Sequence, residues 1–590
     1  MNSNQPILSN RRQHIILLGL CILTFLLFGV YGNYLHTFKR NHISSDVVEY
    51  YSFIPAAFEC ADLSFSKGCP QFYWAQTTKD GRHVNKRSIG MAYMYTPIYA
   101  ISRISAGITG HKQDAYSPHT QKILVIGIWV YVCIGLFFLG KALFRFFSPW
   151  VVVLTLIMLV TATNLIWYTN GEPLFTHGVN FMWFSILIYA TIQYHRHFKL
   201  TSLLAVALSI SMLALIRPNN LLLGIFPFLY GVVDKTTFLN KIQLFKNNYG
   251  QVMLAVVVFF IPVVPQLMYW KYATGHWVYY SYQGENFYWS RPFIMEVLFS
   301  FRKGWLIYTP VMLLSVVGML FLKQRAREFF APVLFIFPVF LYVISCWWAW
   351  SYGGCYGMRP MIDIYALLAF PVAAILGSKK WWAVLPAVIW IGCCSWLNIN
   401  QAWQYSVGIL HYDQMNKKTY FSIWRKTVYP ENYDLTLAYP DYQKELTGKG
   451  SYYSNNELSY TEFSMKFLRA KFICATDSGE VGVKANHAQA AHCDAFVLVY
   501  NAAEKKYAIR SSETKNYLRM DAHTNFFHFD EPDVLHADFF GVKNLGENKF
   551  ALKAPNGFYI TCTEYNQFRL KADALEINPA AYIVFRKFIR

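Results

Sequence analysis

The chain has 590 residues, of which 55% are hydrophobic, 18% aromatic and only 15% charged. A soluble globular chain carries about 25% charged residues, so most of this sequence is excluded from the ordinary soluble class. The formal charge of +20 does not point to nucleic acid: much of the Lys and Arg sits in short loops between apolar blocks, with no zinc-finger spacing and no continuous basic helix.

The apolar blocks run to about residue 400, and from residue 411 the sequence reads as soluble protein. Arg11, Arg12 and His14 lead into an apolar run from Ile15 to Val30. This has the charge order of a signal peptide, but Tyr31, Asn33 and Tyr34 offer no small-x-small cleavage site, so the segment reads as an uncleaved first transmembrane helix. A bilayer core of ~30 Å needs about 20 apolar residues per helix. By that measure about eleven segments cross: 15–35, 120–140, 150–168, 174–193, 201–217, 220–233, 251–270, 306–322, 330–347, 361–377 and 382–398.

Alternate loops differ in charge. Arg11 and Arg12, Lys141 and Arg145, Arg196 and Lys199, Lys235, Lys241 and Lys246, Lys323, Arg325 and Arg327, and Lys379 and Lys380 fall on one side in short loops, which marks it as cytoplasmic. The long loops 36–119, 271–305 and 348–360 then face outward, as does the tail after residue 400. Cys60 and Cys69, in the first outer loop, are read either as a disulfide on an oxidising side or as two free thiols.

The polar features that orientation does not explain gather on the outer side. Asp46, Glu49 and Tyr50 fall at i, i+3 and i+4 and would share one helix face, opposite Val47, Val48, Phe53 and Ile54. Such a pair of carboxylates suits a general base, or a base plus a ligand to a divalent metal ion, and also suits a merely solvated face. Lys86 and Arg87 precede Gly90 and Pro97, a pattern for holding a phosphate or for meeting lipid headgroups. Glu172 and His177 lie at membrane depth or its outer boundary, where ionisable residues are costly and are functional candidates. Arg217 marks the outer end of the fifth span, before Pro218. The loop Trp347–Pro360 holds Trp350, Tyr352 and Arg359, with Asp363 just beyond. Aromatic faces stack on sugar rings and Arg matches phosphate oxygens, so these parts suit an anionic, lipid-linked, sugar-like substrate.

Over residues 15–400 this pattern resembles the GT-C superfamily of membrane glycosyltransferases, in particular the branch with protein O-mannosyltransferases and the lipid A aminoarabinose transferase. The resemblance implies a catalytic acid in the segment Asp46–Tyr51, a polyprenyl-phosphate sugar donor, and a late Gly-Arg motif at Tyr352–Arg359 with Asp363. The family's first-loop signature is an adjacent acidic pair, whereas Val47 and Val48 separate the acids here, so Asp46 or Glu49 is the base, with Asp46 favoured. The residues and the resemblance together give catalytic Asp46 and Glu49, with Tyr50, Lys86, Arg87, Glu172, His177, Arg217, Trp350, Tyr352, Arg359 and Asp363 in substrate binding; Glu172 and His177 rest on their place in the topology alone, not on the family pattern. The acceptor is an envelope glycan, a lipid or a protein. The rival readings are a transporter or flippase for a lipid-linked glycan and a non-catalytic glycan-binding envelope protein; a transporter should carry charges through mid-membrane positions, often with inverted repeats.

Residues 1–410 thus form a transmembrane domain, 411–470 a connector, and 471–590 a repeat. Phe472–Cys474, Tyr517–Arg519 and Tyr559–Thr561 recur at 45 and 42 residues, and Tyr507–Arg510 recurs as Phe550–Lys553 after 43. Three β units of that length point to a β-trefoil. The stretch Lys549–Ala554 leading to Gly557–Ile560 resembles the fascin-like branch, which implies binding or scaffolding rather than catalysis. Loop charge places residue 590 outside the cytoplasm: a C-terminal reporter active only in the cytoplasm should stay dark, and a bright one would overturn the outer-face assignment.

Overall fold

The computed structural model describes residues 9–65, 76–78, 82–430, 433, 437, 446, 462–467, 472–474, 484–487, 496–501, 506–511, 516–546, 549–562, 570–577, 581 and 583–587. It divides into two compact units, residues 1–412 and 413–590.

The first unit is helical. Helix α1 (Asn10–Tyr34) starts at Ser9, whose hydroxyl accepts the Arg12 N–H, and shows Leu18, Ile22, Leu26 and Val30 outward in one stripe. Such a stripe is a liability in water and ordinary against lipid tails. After it come α2 (Asp46–Tyr51), α3 (Phe53–Phe58), a small ribbon of β1 (Gln76–Thr77) and β2 (His83–Val84), and α4 (Gly90–Thr109). The chain continues through α5 (Pro118–Leu143), α6 (Pro149–Thr161), α7 (Trp167–Asn170), α8 (His177–His197), α9 (Leu200–Ile216) and α10 (Phe226–Leu229). Next are α11 (Lys235–Asn247), α12 (Tyr249–Thr274), α13 (Ile294–Phe299), α14 (Trp305–Tyr308), α15 (Leu313–Arg325), α16 (Phe330–Ser345), α17 (Tyr365–Leu376) and α18 (Trp381–Ser406).

Six helical runs among the described residues are long and apolar enough to cross a membrane: α1, α5, α12, α18, Arg327–Ser345 and Arg359–Leu376. The chain is a membrane protein. Segment 174–193 is the unbroken helix α8, less apolar than the six, and the other expected spans are shorter or interrupted. Segment 150–168 stops at Thr161 and resumes as α7. Segment 220–233 is a 3-10 helix, Pro218–Ile225, followed by α10, with Pro218 and Pro227 each removing an N–H from the ladder. Segment 306–322 breaks at Pro310, between α14 and α15. The loop 36–119 contains the twenty-residue helix α4, which runs on through Pro97. Every residue of α17 is buried. This central helix meets α15 at Gly318, where a Cβ would run into the Pro371 carbonyl. Cys60 is disulfide-bonded; Cys69 lies outside the described residues.

In the second unit, α19 (Lys417–Ser422) precedes strands β3 (Glu462–Phe467), β4 (Phe472–Cys474), β5 (Lys484–His487), β6 (Phe496–Asn501), β7 (Lys506–Ser511), β8 (Tyr517–Met520), β9 (Phe527–Glu531), β10 (Gly541–Gly546), β11 (Lys549–Lys553), β12 (Tyr559–Cys562), β13 (Leu570–Ala574) and β14 (Ile583–Lys587). The first strand begins at Glu462, ahead of the expected start at 471. Antiparallel pairing runs β14–β3–β6–β7, passes to the segment before β10 by the Tyr507–Phe540 bridge, and returns through β10–β11 to β14. Three hairpins, β4–β5, β8–β9 and β12–β13, branch from β3, β7 and β11 in turn. Residues one repeat apart share one core: Ile509 with Leu552, Leu518 with Ile560, Phe527 with Leu570, and Phe540 with Ile583. With its own apolar core, the fragment 462–590 should be soluble and give an all-β circular dichroism spectrum; a helical or unfolded spectrum would count against an autonomous unit.

Candidate functional site

Helix α2 is entered through Ser45, a non-glycine residue at φ 50°, ψ −137°. Backbone of this kind costs on the order of 1–3 kcal/mol and persists where its surroundings enforce it. The expected polar face is not a solvated one. Glu49 and Tyr50 are buried along with Val47, Tyr51, Phe53 and Ile54, and the helix breaks at Ser52 before α3. Asp46 is the reachable carboxylate, with its side chain 30% exposed against 7% for Glu49.

Arg87 binds both acids, Nη2 to Asp46 Oδ1 at 3.1 Å and Nε to Glu49 Oε2 at 2.5 Å. Its guanidinium lies 5.1 Å from the Tyr50 ring and donates to the Tyr282 hydroxyl at 2.9 Å. From the far end of the unit, Arg359 Nη2 reaches Asp46 Oδ2 at 2.9 Å, with its guanidinium 4.8 Å from the Phe175 ring. Lys86 forms an ion pair with Glu285, whose other oxygen accepts the Trp348 indole N–H at 3.1 Å. Asp46, Glu49, Tyr50, Lys86, Arg87 and Arg359 are therefore one cluster.

The electrostatics separate the two acids. Burial works to raise the Asp46 carboxyl, but Arg87 and Arg359 outweigh it and hold it well below the usual carboxylate range. Burial raises Glu49, and its single guanidinium partner does not reverse that. Paired carboxylates with diverging acidities are the pattern that divides acid and base roles. Among the described residues, no group of three His, Cys, Asp or Glu could hold a metal ion, and both Asp46 oxygens already meet guanidinium groups.

The strand-to-helix turn holding Arg87 is fixed by Asn85, which is fully buried. Its Nδ2 donates to the Glu49 carbonyl and to the Ser52 hydroxyl, both at 2.9 Å, while its Oδ1 accepts the Arg87 N–H at 2.9 Å. Ser88 Oγ donates to the Leu215 carbonyl at 2.5 Å, and Ile89 N to Gln266 Oε1 at 2.7 Å. Gly90 then passes so close to the backbone of Leu215 and Ile216 that any Cβ would clash. Asn85 and Tyr282 belong to this cluster without having been among the residues singled out from sequence, and Glu285 joins it from the outer loop 271–305.

A second group surrounds Asp363, which is completely buried. It accepts from His177 Nδ1 at 2.8 Å, Asn220 Nδ2 at 2.8 Å and Asn180 Nδ2 at 3.1 Å, with Arg217 Nη1 at 3.5 Å. Arg217 also lies 5.7 Å from the ring of Tyr352, a residue in left-handed backbone at φ 58° beside Gly353 at φ 69°. Asp363 follows Arg359 within one 3-10 helix, Arg359–Ile364. So His177, Asn180, Arg217 and Asn220 clamp the segment that presents Arg359. Burial raises the Glu172 carboxyl although Arg359 pulls it down, and Glu172 Oε2 is buried with no hydrogen-bond partner among the described residues. Trp350 is fully buried, against Phe293 and Arg302. Lys303 is buried too and donates to the carbonyls of Cys355 and Tyr412, and Cys355 N donates to the latter at 3.2 Å.

No protein-family model matches the chain, and no characterised protein matches it in sequence. Among solved structures, 98% of the chain aligns with a chain of the S. cerevisiae protein O-mannosyltransferase complex bound to the sugar donor, at 8% identity and a TM-score of 0.23. The alignment spans 63% of that chain's length, and a score so low carries no argument about this one.

Replacing Asn85 with Ala orphans the buried Arg87 N–H. Leaving a buried group unpaired costs about 1–3 kcal/mol, so the variant should melt measurably lower in detergent. An unchanged melting temperature would remove Asn85 from its role as the brace of this turn.

Proposed function

We propose that the chain is a GT-C-type membrane glycosyltransferase that moves a sugar from a polyprenyl-phosphate donor to an envelope glycan, lipid or protein acceptor at the outer face of the cytoplasmic membrane. In this reading about eleven segments span the bilayer, the N-terminus is cytoplasmic, and the C-terminal unit is an outer fascin-like β-trefoil that binds glycan. The three branching hairpins and the shared core of residues one repeat apart support the trefoil.

One observation carries the catalytic reading: a partly exposed carboxylate, Asp46, is shared by two guanidiniums from distant parts of the chain, Arg87 and Arg359. Two Arg forks on one carboxylate are also a site that fits phosphate oxygens. Asp46 takes the proton of the acceptor hydroxyl, and the acceptor oxygen attacks the anomeric carbon with inversion. The bond from that carbon to the phosphate oxygen breaks, and the electron pair leaves with polyprenyl phosphate. Arg87 and Arg359 hold the charge that accumulates on this leaving group. As phosphate draws the guanidiniums from Asp46, the carboxylate recovers the basicity they suppress. Lys86, tied to Glu285, sets the edge of the same cluster. The network around Asp363, with its donors already in place, braces Arg359 and does not read as a path for a transported solute.

General base catalysis contributes about 10²–10⁴-fold. Asp46→Asn should therefore fold and insert yet lose sugar transfer by that order. Arg359→Lys keeps the charge without the planar fork and should lose part of the activity, mainly in donor use. If Glu49→Gln alone is inactive, the base has been misassigned; full activity in both acid variants would sink the catalytic reading. The pH profile separates the acids as well. The free-enzyme acid limb appears in kcat/KM. With Asp46 depressed it should lie below about pH 4, the ordinary carboxylate value, whereas Glu49 as base would place it higher.

A further inference from the structure

We infer that the outer ends of α1 and α5 form a binding site for a phospholipid with an anionic head group, its acyl chain lying in a groove between the same two helices. A cavity of about 190 Å³ opens where α1 ends and α5 begins, lined by Lys39, Arg40, Asn41, Gln121 and Lys122 among others. Three cations meet there, and no carboxylate among the described residues lines it. Arg40 is held in place, its Nη2 donating to the Ser406 carbonyl at 3.1 Å and its guanidinium 5.6 Å from the Trp167 ring. Gln121 Oε1 accepts the His42 N–H at 2.8 Å, joining the two sides of the cavity. The start of the 26-residue helix α5 adds the positive end of its dipole.

Farther along the same helix pair lies a groove of about 420 Å³, walled by Leu18, Ile22 and Leu26 from α1 and Val130, Ile134 and Phe138 from α5. The buried Trp129 is packed between the two spaces, its ring 5.5 Å from that of Phe38 in the basic cavity and 5.6 Å from that of Phe25 in the groove. From Lys122 to Phe138, α5 rises about 24 Å at 1.5 Å per residue, more than half of a ~30 Å hydrocarbon core. A charged pocket at one end of an apolar groove of leaflet depth matches a head group and its chain. A soluble anion would leave the groove unused. None of these residues belongs to the Asp46–Arg359 cluster, and no carboxylate among the described residues lines the cavity, so the inference stands apart from the proposed transfer reaction.

The test uses the full chain purified in mild detergent, with lipid affinity read by native mass spectrometry for phosphatidylglycerol, phosphatidylcholine, a polyprenyl phosphate and inorganic phosphate. Phosphatidylglycerol should bind best. The double variant Lys39→Gln with Lys122→Gln should bind it roughly thirty-fold more weakly, from about fivefold per basic side chain at a membrane surface. Lys39→Arg with Lys122→Arg should bind it as the parent does. Val130→Trp fills the groove from a partly exposed position and should lose phosphatidylglycerol with both lysines intact. Equal affinity for phosphatidylglycerol and phosphatidylcholine, or unchanged binding in the Gln variant, overturns the proposal. Tighter binding of the polyprenyl phosphate, or of inorganic phosphate alone, overturns it also, by assigning the site to donor or to a soluble anion.

Discussion

Arg87 and Arg359 are largely withdrawn from water against two carboxylates, Asp46 and Glu49. An isolated charge withdrawn from water costs several kcal/mol even after relaxation, and removing one partner of such a pair leaves that cost uncompensated. Two guanidiniums against two carboxylates give a neutral set, but neutrality alone does not hold it. Arg87 comes from the turn before α4, Arg359 from the segment before α17, and the acids from α2. Their geometry is only as firm as the attachment of three pieces of chain far apart in sequence.

Two buried polar residues carry the attachment. Asn85 ties the Arg87 turn to the backbone of α2 and α3, so Glu49 and its cation move together. Asp363 ties the Arg359 segment to α8 and to the break after α9. A buried carboxylate that accepts from several donors is a high-stakes arrangement, rigid when satisfied and costly when any donor is lost. The two sites differ in what they leave free. Asp363 is sealed, whereas Asp46 keeps an exposed edge.

The sequence made parts of this legible and hid others for identifiable reasons. Asp46, Glu49, Lys86, Arg87 and Arg359 stood out because charge is rare in an apolar chain. Their meeting was not visible, since pairing across 313 residues leaves no local pattern. Spacing correctly put Asp46 and Glu49 on one side of a helix, but it could not tell that Arg87 rather than water would face them. Asn85 and Tyr282 were passed over because a single amide or phenol in a loop is unremarkable until its partners are known. Hydropathy found the long spans and ended the fifth at Arg217 before Pro218, but it ran through the breaks after Thr161 and at Pro310, where the chain stays apolar while the ladder fails. In the second unit the repeat was readable because the same core positions are filled by the same class of side chain.

Lys303 fastens the carbonyls of Cys355 and Tyr412 at a single ammonium, and Cys355 binds Tyr412 again through its own N–H. Tyr412 is the last residue of the first unit, so the chain leaves that unit through a knot tied to the loop that leads to Arg359. The stretch Gly353–Gly357 thus has two duties, closing off the end of the first unit as well as leading into Arg359.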